Sequence, residues 1–219
     1  MIKFRIDVDY AYPSRLKSFL YTASNVKAGK DYLKNSKIIA KMINESQEEV
    51  RATWFFTVKT IPDEELLNML LTEKHKVALH ITNNPYEEKE LLEKATGRKL
   101  RYYTTHGTAH LLARTIWKRW KAKTPEIPKK FSLESFYQFP TLGLDRLCYA
   151  NDTAETVRIA RKNIVKGKIL HIHPIWLFQK GTINHRGSFY EALRRILRDK
   201  CRVRRRHRYK DTLVRLKEK

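Results

Sequence analysis

Two carboxylates and four imidazoles stand where apolar runs of this chain give way to polar ones. The carboxylates are Asp7 and Asp9, in Arg5-Ile-Asp-Val-Asp9. Side chains alternate along a strand, so both share one face. Two like charges that close repel unless a cation or a proton lies between them. His80 closes the run Lys76-Val-Ala-Leu-His80, and Asn84 follows four residues later. With Asp9 on the same rim, that pattern suits a divalent-metal ligand set. His106 precedes Gly107 in a turn, which suits either a ligand or an ordinary turn histidine. In His171-Ile-His173-Pro174, alternation puts both rings on one face at different depths. His173 stands last, before the proline, and is the stronger candidate for a site. Such a set can do acid–base work beside a metal ion.

These residues need strands that end on a common rim. The sequence predicts strands at residues 2–8, 52–58, 75–81, 100–105, 136–139, 146–150 and 168–173. Helices are expected over 26–49, 62–72, 84–97, 108–121, 152–166 and 188–200, with Pro62, Asn84-Pro85 and Asp152 opening three of them. Strand and helix alternate throughout, which implies an α/β fold with parallel strands and helices outside. Two architectures compete: a distorted or incomplete (β/α) barrel and an open doubly wound sheet. In either, the carboxyl ends of the strands open on one side. No linker or repeat divides the chain, so one domain is expected over residues 1–200, with a basic tail at 201–219.

Composition narrows the classes. Of 219 residues, 42% are hydrophobic, which excludes a disordered chain. Two cysteines, Cys148 and Cys201, exclude a disulfide scaffold and a cysteine-rich zinc module. No apolar run approaches the ~18 residues of a membrane-spanning helix. The first residues read as a strand rather than a secretory signal, so a cytoplasmic protein, peripheral at most at the membrane, is expected. Forty-six Lys and Arg oppose 23 Asp and Glu, a net charge of +23. The stretch 194–219 alone holds 13 basic and 3 acidic residues. Such a field attracts anionic lipid, sugar-phosphate or nucleic acid. A solvated terminus has the same composition.

In order along the chain, these pieces resemble the polysaccharide deacetylase family, metal-dependent carbohydrate de-N-acetylases on a distorted (β/α) barrel. Arg5-Ile-Asp-Val-Asp9 resembles the family's first motif, and Arg51-Ala-Thr-Trp-Phe-Phe56 the strand that usually follows. Lys76-Val-Ala-Leu-His80 resembles the motif with the metal-binding histidine. Thr105-His-Gly107 falls where the third motif does, and Leu170-His-Ile-His-Pro174 resembles the fifth. The resemblance spans about residues 2–195. It implies that Asp7 is the catalytic base, Asp9 and His80 are metal ligands, and His173 is the general acid, with Asp145 orienting it. It also implies a divalent metal, zinc foremost with cobalt, nickel or manganese as alternatives, and an N-acetylated sugar or glycan as substrate. Trp176 and Tyr103 are candidate platforms for a sugar ring, and Arg186 a candidate contact to substrate oxygens. Two departures stand out. The family usually has a second histidine where this chain has Asn84, and an amide oxygen is a poorer zinc ligand than imidazole. The site is then weaker, prefers a harder metal, or is completed by His106. The family's third motif also usually supplies an arginine to orient the base, and neither Arg101 nor Arg114 matches it cleanly. Two rival classes remain: a non-catalytic metal- or sugar-binding protein, and a basic nucleic-acid-binding protein on the same scaffold.

Overall fold

A computed structural model describes residues 1–8, 31–105, 126–177 and 187–198. The chain runs β1 (Ile2–Val8), α1 (Asp31–Asn44), β2 (Val50–Phe56), α2 (Glu64–Met69), β3 (His75–Ile81), α3 (Pro85–Thr96), β4 (Tyr102–Thr105), β5 (Glu134–Ser135), a 3-10 turn (Phe136–Gln138), β6 (Thr141–Gly143), α4 (Leu144–Ala150), α5 (Thr153–Val165), β7 (Ile169–Ile172), a second 3-10 turn (Pro174–Trp176) and α6 (Phe189–Arg198).

Strand order decides between the two architectures. The seven strands form one sheet ordered β5-β4-β3-β2-β1-β7-β6, and every pairing is parallel. β1 therefore lies between β2 and β7, the next strand and the last one. A singly wound barrel produces that arrangement, whereas a doubly wound sheet reverses direction at a switch point. Among the described residues β5 and β6 are not paired with each other, which gives a distorted, incomplete (β/α) barrel.

Period-two alternation sorts the side chains onto two faces. Ile2, Phe4, Ile6 and Val8 of β1 are buried on one face, with Ala52, Trp54 and Phe56 of β2, Val77, Leu79 and Ile81 of β3, and Leu170 and Ile172 of β7. The helices cover this outer face. α1 contributes Tyr32, Leu33, Ile39, Ala40 and Ile43, and α6 contributes Ala192, Leu193, Ile196 and Leu197, each set at helical spacing. The inner face holds a smaller apolar plug of Phe55, Ala78, Phe136 and Ile169, with Tyr102 and Phe139 against it. Above that plug, toward the carboxyl ends of the strands, the inner face turns polar.

Local signals explain the helix ends. Asp63 accepts the Leu66 amide at 3.0 Å and Asp152 the Glu155 amide at 2.8 Å, each capping an N-terminus. Gly97 closes α3 with φ of 65°, a backbone region that disfavours side chains.

Two expected strands are otherwise in the structure. Residues 136–138 form a 3-10 turn, and 144–150 form α4 rather than a strand. Leu144 and Cys148 are buried four apart, the helical period, and a short apolar run cannot by itself separate the two periods. The short β5 and β6 flank the misread region. The expected helix at 108–121 and the tail at 201–219 lie outside the described residues. Among the described residues no helix is long and apolar enough to cross a membrane.

Candidate active site

Pairing register brings the polar side chains together. Asp7 is opposite Phe55, Phe55 opposite Ala78, and His80 opposite Thr104. On the other side Arg5 is opposite His171, and His171 opposite Gly143. Arg5, Asp7, His80, Thr104 and His171 therefore share the inner face. Pro174 keeps His173 in an extended conformation (φ −120°, ψ 118°), so its side chain continues the alternation begun at His171.

Asp7 is 2% exposed and Arg5 6%. Arg5 grips the carboxylate with two bonds: Nε donates to Oδ1 at 2.9 Å and Nη2 to Oδ2 at 2.6 Å. His171 Nε2 adds a third contact to Oδ2 at 3.0 Å. Burial opposes the charge of Asp7, but the bond to His171, the nearby His80 and the Arg5 pair together hold its carboxyl well below the usual range. The Arg5 guanidinium lies between two aromatic rings, 5.6 Å from the Phe55 centroid and 5.1 Å from that of Tyr137. Tyr137 is fastened in turn. Its hydroxyl donates to the Thr105 carbonyl at 2.9 Å and accepts the Thr105 amide at 3.1 Å.

A second carboxylate–imidazole pair lies beside the first. His173 Nδ1 is 2.6 Å from Asp145 Oδ2. Asp145 opens α4, and burial would raise its pKa, yet the His173 bond leads the interactions that lower it. Gly143 leaves room there, since an added Cβ would sit 3.3 Å from Asp145 Oδ1. The His171 and His173 rings are tilted against each other with centroids 4.5 Å apart.

His80 is 3% exposed, and its Nδ1 meets the Thr104 hydroxyl at 2.7 Å. Metal-binding imidazoles are usually oriented in this way, through one nitrogen, with the other serving the ion. His80 therefore fits a divalent ion. Asn84 does not: it is exposed and caps α3, where its amide oxygen accepts the Tyr86 and Glu87 amides at 3.2 and 3.4 Å. Glu88 secures the loop between them by accepting the Thr82 and Asn83 amides at 2.8 and 2.9 Å. Asp9, His106 and Arg186 lie outside the described residues.

Ligand-capable atoms of Asp7, His171 and His173 also lie within 4.8 Å of one another. That spacing is within reach of one ion, but an ion there would compete with the Arg5 guanidinium for the same carboxylate. The described bonds instead pair His171 with Asp7 and His173 with Asp145.

Two expected platform residues face elsewhere. Tyr103 alternates away from His80 and Thr104, onto the outer face, where it packs against Phe131 at 5.5 Å. Trp176 packs, partly buried, on the same outer core. The residues given no role from the sequence are Arg5, His171 and Tyr137. Arg5 was legible in principle, two positions before Asp7 and so on its face, whereas Arg101 pairs with Glu134 at 3.1 Å on the surface. Cys148 is buried, which pushes its thiol up to about 12 and removes it as a nucleophile.

No family model matches the chain, and no curated protein matches it. Among solved structures it is similar to a CE4 family pseudoenzyme from Bacillus anthracis, at 14% identity and a TM-score of 0.43, over 80% of this chain and 54% of that one. It is also similar to a mutant of that protein with restored enzymatic activity, at 15% identity and a TM-score of 0.41, over 79% and 56%. The chain thus spans little more than half the length of either.

Proposed function

We propose that the chain is a metal-dependent hydrolase that removes the acetyl group from an N-acetylated sugar or glycan. The observation that carries this reading is the 2.6 Å His173–Asp145 pair on the same rim as the Arg5-held Asp7. Amide hydrolysis needs a group that takes a proton from water and another that gives one to the departing nitrogen, with different proton affinities. Asp145 fixes His173 through Nδ1, which leaves the Nε2 side of the ring to donate. Asp7 and its partners supply the accepting side. His80, with Asp9 expected beside it, would hold the divalent ion, zinc being the first choice for an imidazole and carboxylate set. When bound, that ion supplies Lewis-acid polarisation of the acetyl carbonyl. Inner-face Tyr137, 5.1 Å from the Arg5 that grips Asp7, takes the place of Tyr103 and Trp176 as the candidate platform. The basic stretch 194–219 would bring a cytoplasmic enzyme to anionic lipid or sugar-phosphate.

The test is acetate release from N-acetylglucosamine oligomers by metal-loaded protein. Release that stops on chelation and returns with zinc supports the reading. No release with any of zinc, cobalt, nickel or manganese overturns it. A non-catalytic metal- or sugar-binding protein is the second reading, favoured by the capping role of Asn84, which leaves the metal one ligand short of the family's pattern. Zinc or glycan binding without acetate release selects it. For the nucleic-acid alternative, binding that falls steeply with salt is the expected signature.

A further inference from the structure

Asp7 is poorly placed to meet water itself. It is almost wholly buried, and both carboxylate oxygens already accept bonds, Oδ1 from Arg5 and Oδ2 from Arg5 and His171. The imidazole joined to it is more accessible, with a side chain 20% exposed. Its Nε2 is used by Asp7, while Nδ1 has no hydrogen-bond partner among the described residues. In a neutral ring with Nε2–H given to a carboxylate, Nδ1 carries the lone pair.

We propose that His171 is the group that accepts the proton of the attacking water, through Nδ1, and that Asp7 is its positioning residue. This rests on the hydrolytic reading above and refines the proton path within it. The water proton passes to His171 Nδ1 as the water oxygen bonds to the acetyl carbon. The C–N bond then breaks, and its electron pair takes a proton from the Nε2 side of His173, whose Nδ1 is held by Asp145. Acetic acid and a free amine leave. His171 is left protonated and His173 neutral, and the proton returns from the first ring to the second, directly or through water. Attacking oxygen and departing nitrogen are substituents of one carbon, so acceptor and donor must be neighbours. Two rings with centroids 4.5 Å apart meet that requirement. Each is fixed by its own carboxylate through a different nitrogen, His171 through Nε2 and His173 through Nδ1.

The decisive variant is His171→Gln, whose side-chain amide can still donate to Asp7. We expect acetate release to fall by about a hundredfold to ten-thousandfold, the range for loss of a general base, with KM little changed. Zinc affinity by calorimetric titration should match the parent. Activity within tenfold of the parent would return the role of base to Asp7. A zinc affinity lowered tenfold or more would instead assign His171 to the metal. If the parent releases no acetate, the hydrolytic reading fails, and nitrogen NMR of the parent still tests the wiring. In the neutral ring the signals of His171 should show hydrogen on Nε2 and a lone pair on Nδ1, and Asp7→Asn should change them. Hydrogen on Nδ1 in the neutral ring overturns the proposal.

Discussion

His75 and His80 lie on one strand, β3, five positions apart, so alternation sends them to opposite faces. Both are nearly inaccessible to solvent. On the outer side, His75 Nδ1 accepts the Trp54 indole N–H at 2.9 Å, and Nε2 meets the Asn44 side-chain oxygen at 2.9 Å. Every nitrogen is used, and the surroundings are core. Burial first, then Lys74 and Arg98, push the pKa of His75 down to about 4. On the inner side, His80 shares the face of the carboxylate Asp7, and its Nδ1 meets the Thr104 hydroxyl at 2.7 Å. The same residue type is a neutral packing element on one face and a candidate ligand on the other. The difference comes from what the opposite strands and helices supply: apolar groups and amides outside, carboxylates and hydroxyls inside.

That contrast would break most severely at Asp7. Asp7→Asn removes the charge that holds Arg5 and His171, and acetate release is expected to fall about a thousandfold or more, while outer-face packing is untouched. Truncation on the other face should do the reverse. Trp54→Ala is expected to cost about 3–5 kcal/mol in denaturant unfolding, because it empties core volume and strands the His75 acceptor.

The pH dependence of stability sharpens the contrast further. His75 is held below its unfolded value of about 6.5. Its stabilising contribution is therefore complete above pH 6.5 and is lost as pH falls toward 4, because the unfolded chain takes up the proton first. The loss is at most roughly 3 kcal/mol. Urea unfolding from pH 7 to 4 should show it, and His75→Gln should flatten that part of the profile. The smallest effect is expected at Asn84. Asn84→Ala should cost about 1 kcal/mol through loss of the α3 cap and leave zinc affinity unchanged. A tenfold weaker zinc affinity would restore Asn84 to the ligand set.

Much of the barrel was legible because its outer face is apolar at alternate positions in β1, β2 and β3. His75–Ile81 was bounded correctly for that reason. The region around β5, β6 and α4 was not, since strands of two and three residues show too little alternation to reveal a period. Asp7, His80 and His173 were marked by their position at strand ends and Asp145 only by the family resemblance, and the structure places Asp145 on His173 and His80 on the face of Asp7. Tyr103 was misplaced because its face depends on register with β3, which no local pattern announces. His171 and Arg5 were passed over because one-at-a-time weighing favours the residue nearest the loop. Their importance lies in a pairing across strands.

The gap between β5 and β6 has one more effect. A cylinder left unzipped along one side ends in two strand borders, and such borders are where a foreign chain could add a rung. Here those borders are held to two and three residues, a foothold too brief for a ladder to grow. Borders this brief are one way a sheet avoids acting as a template for self-assembly.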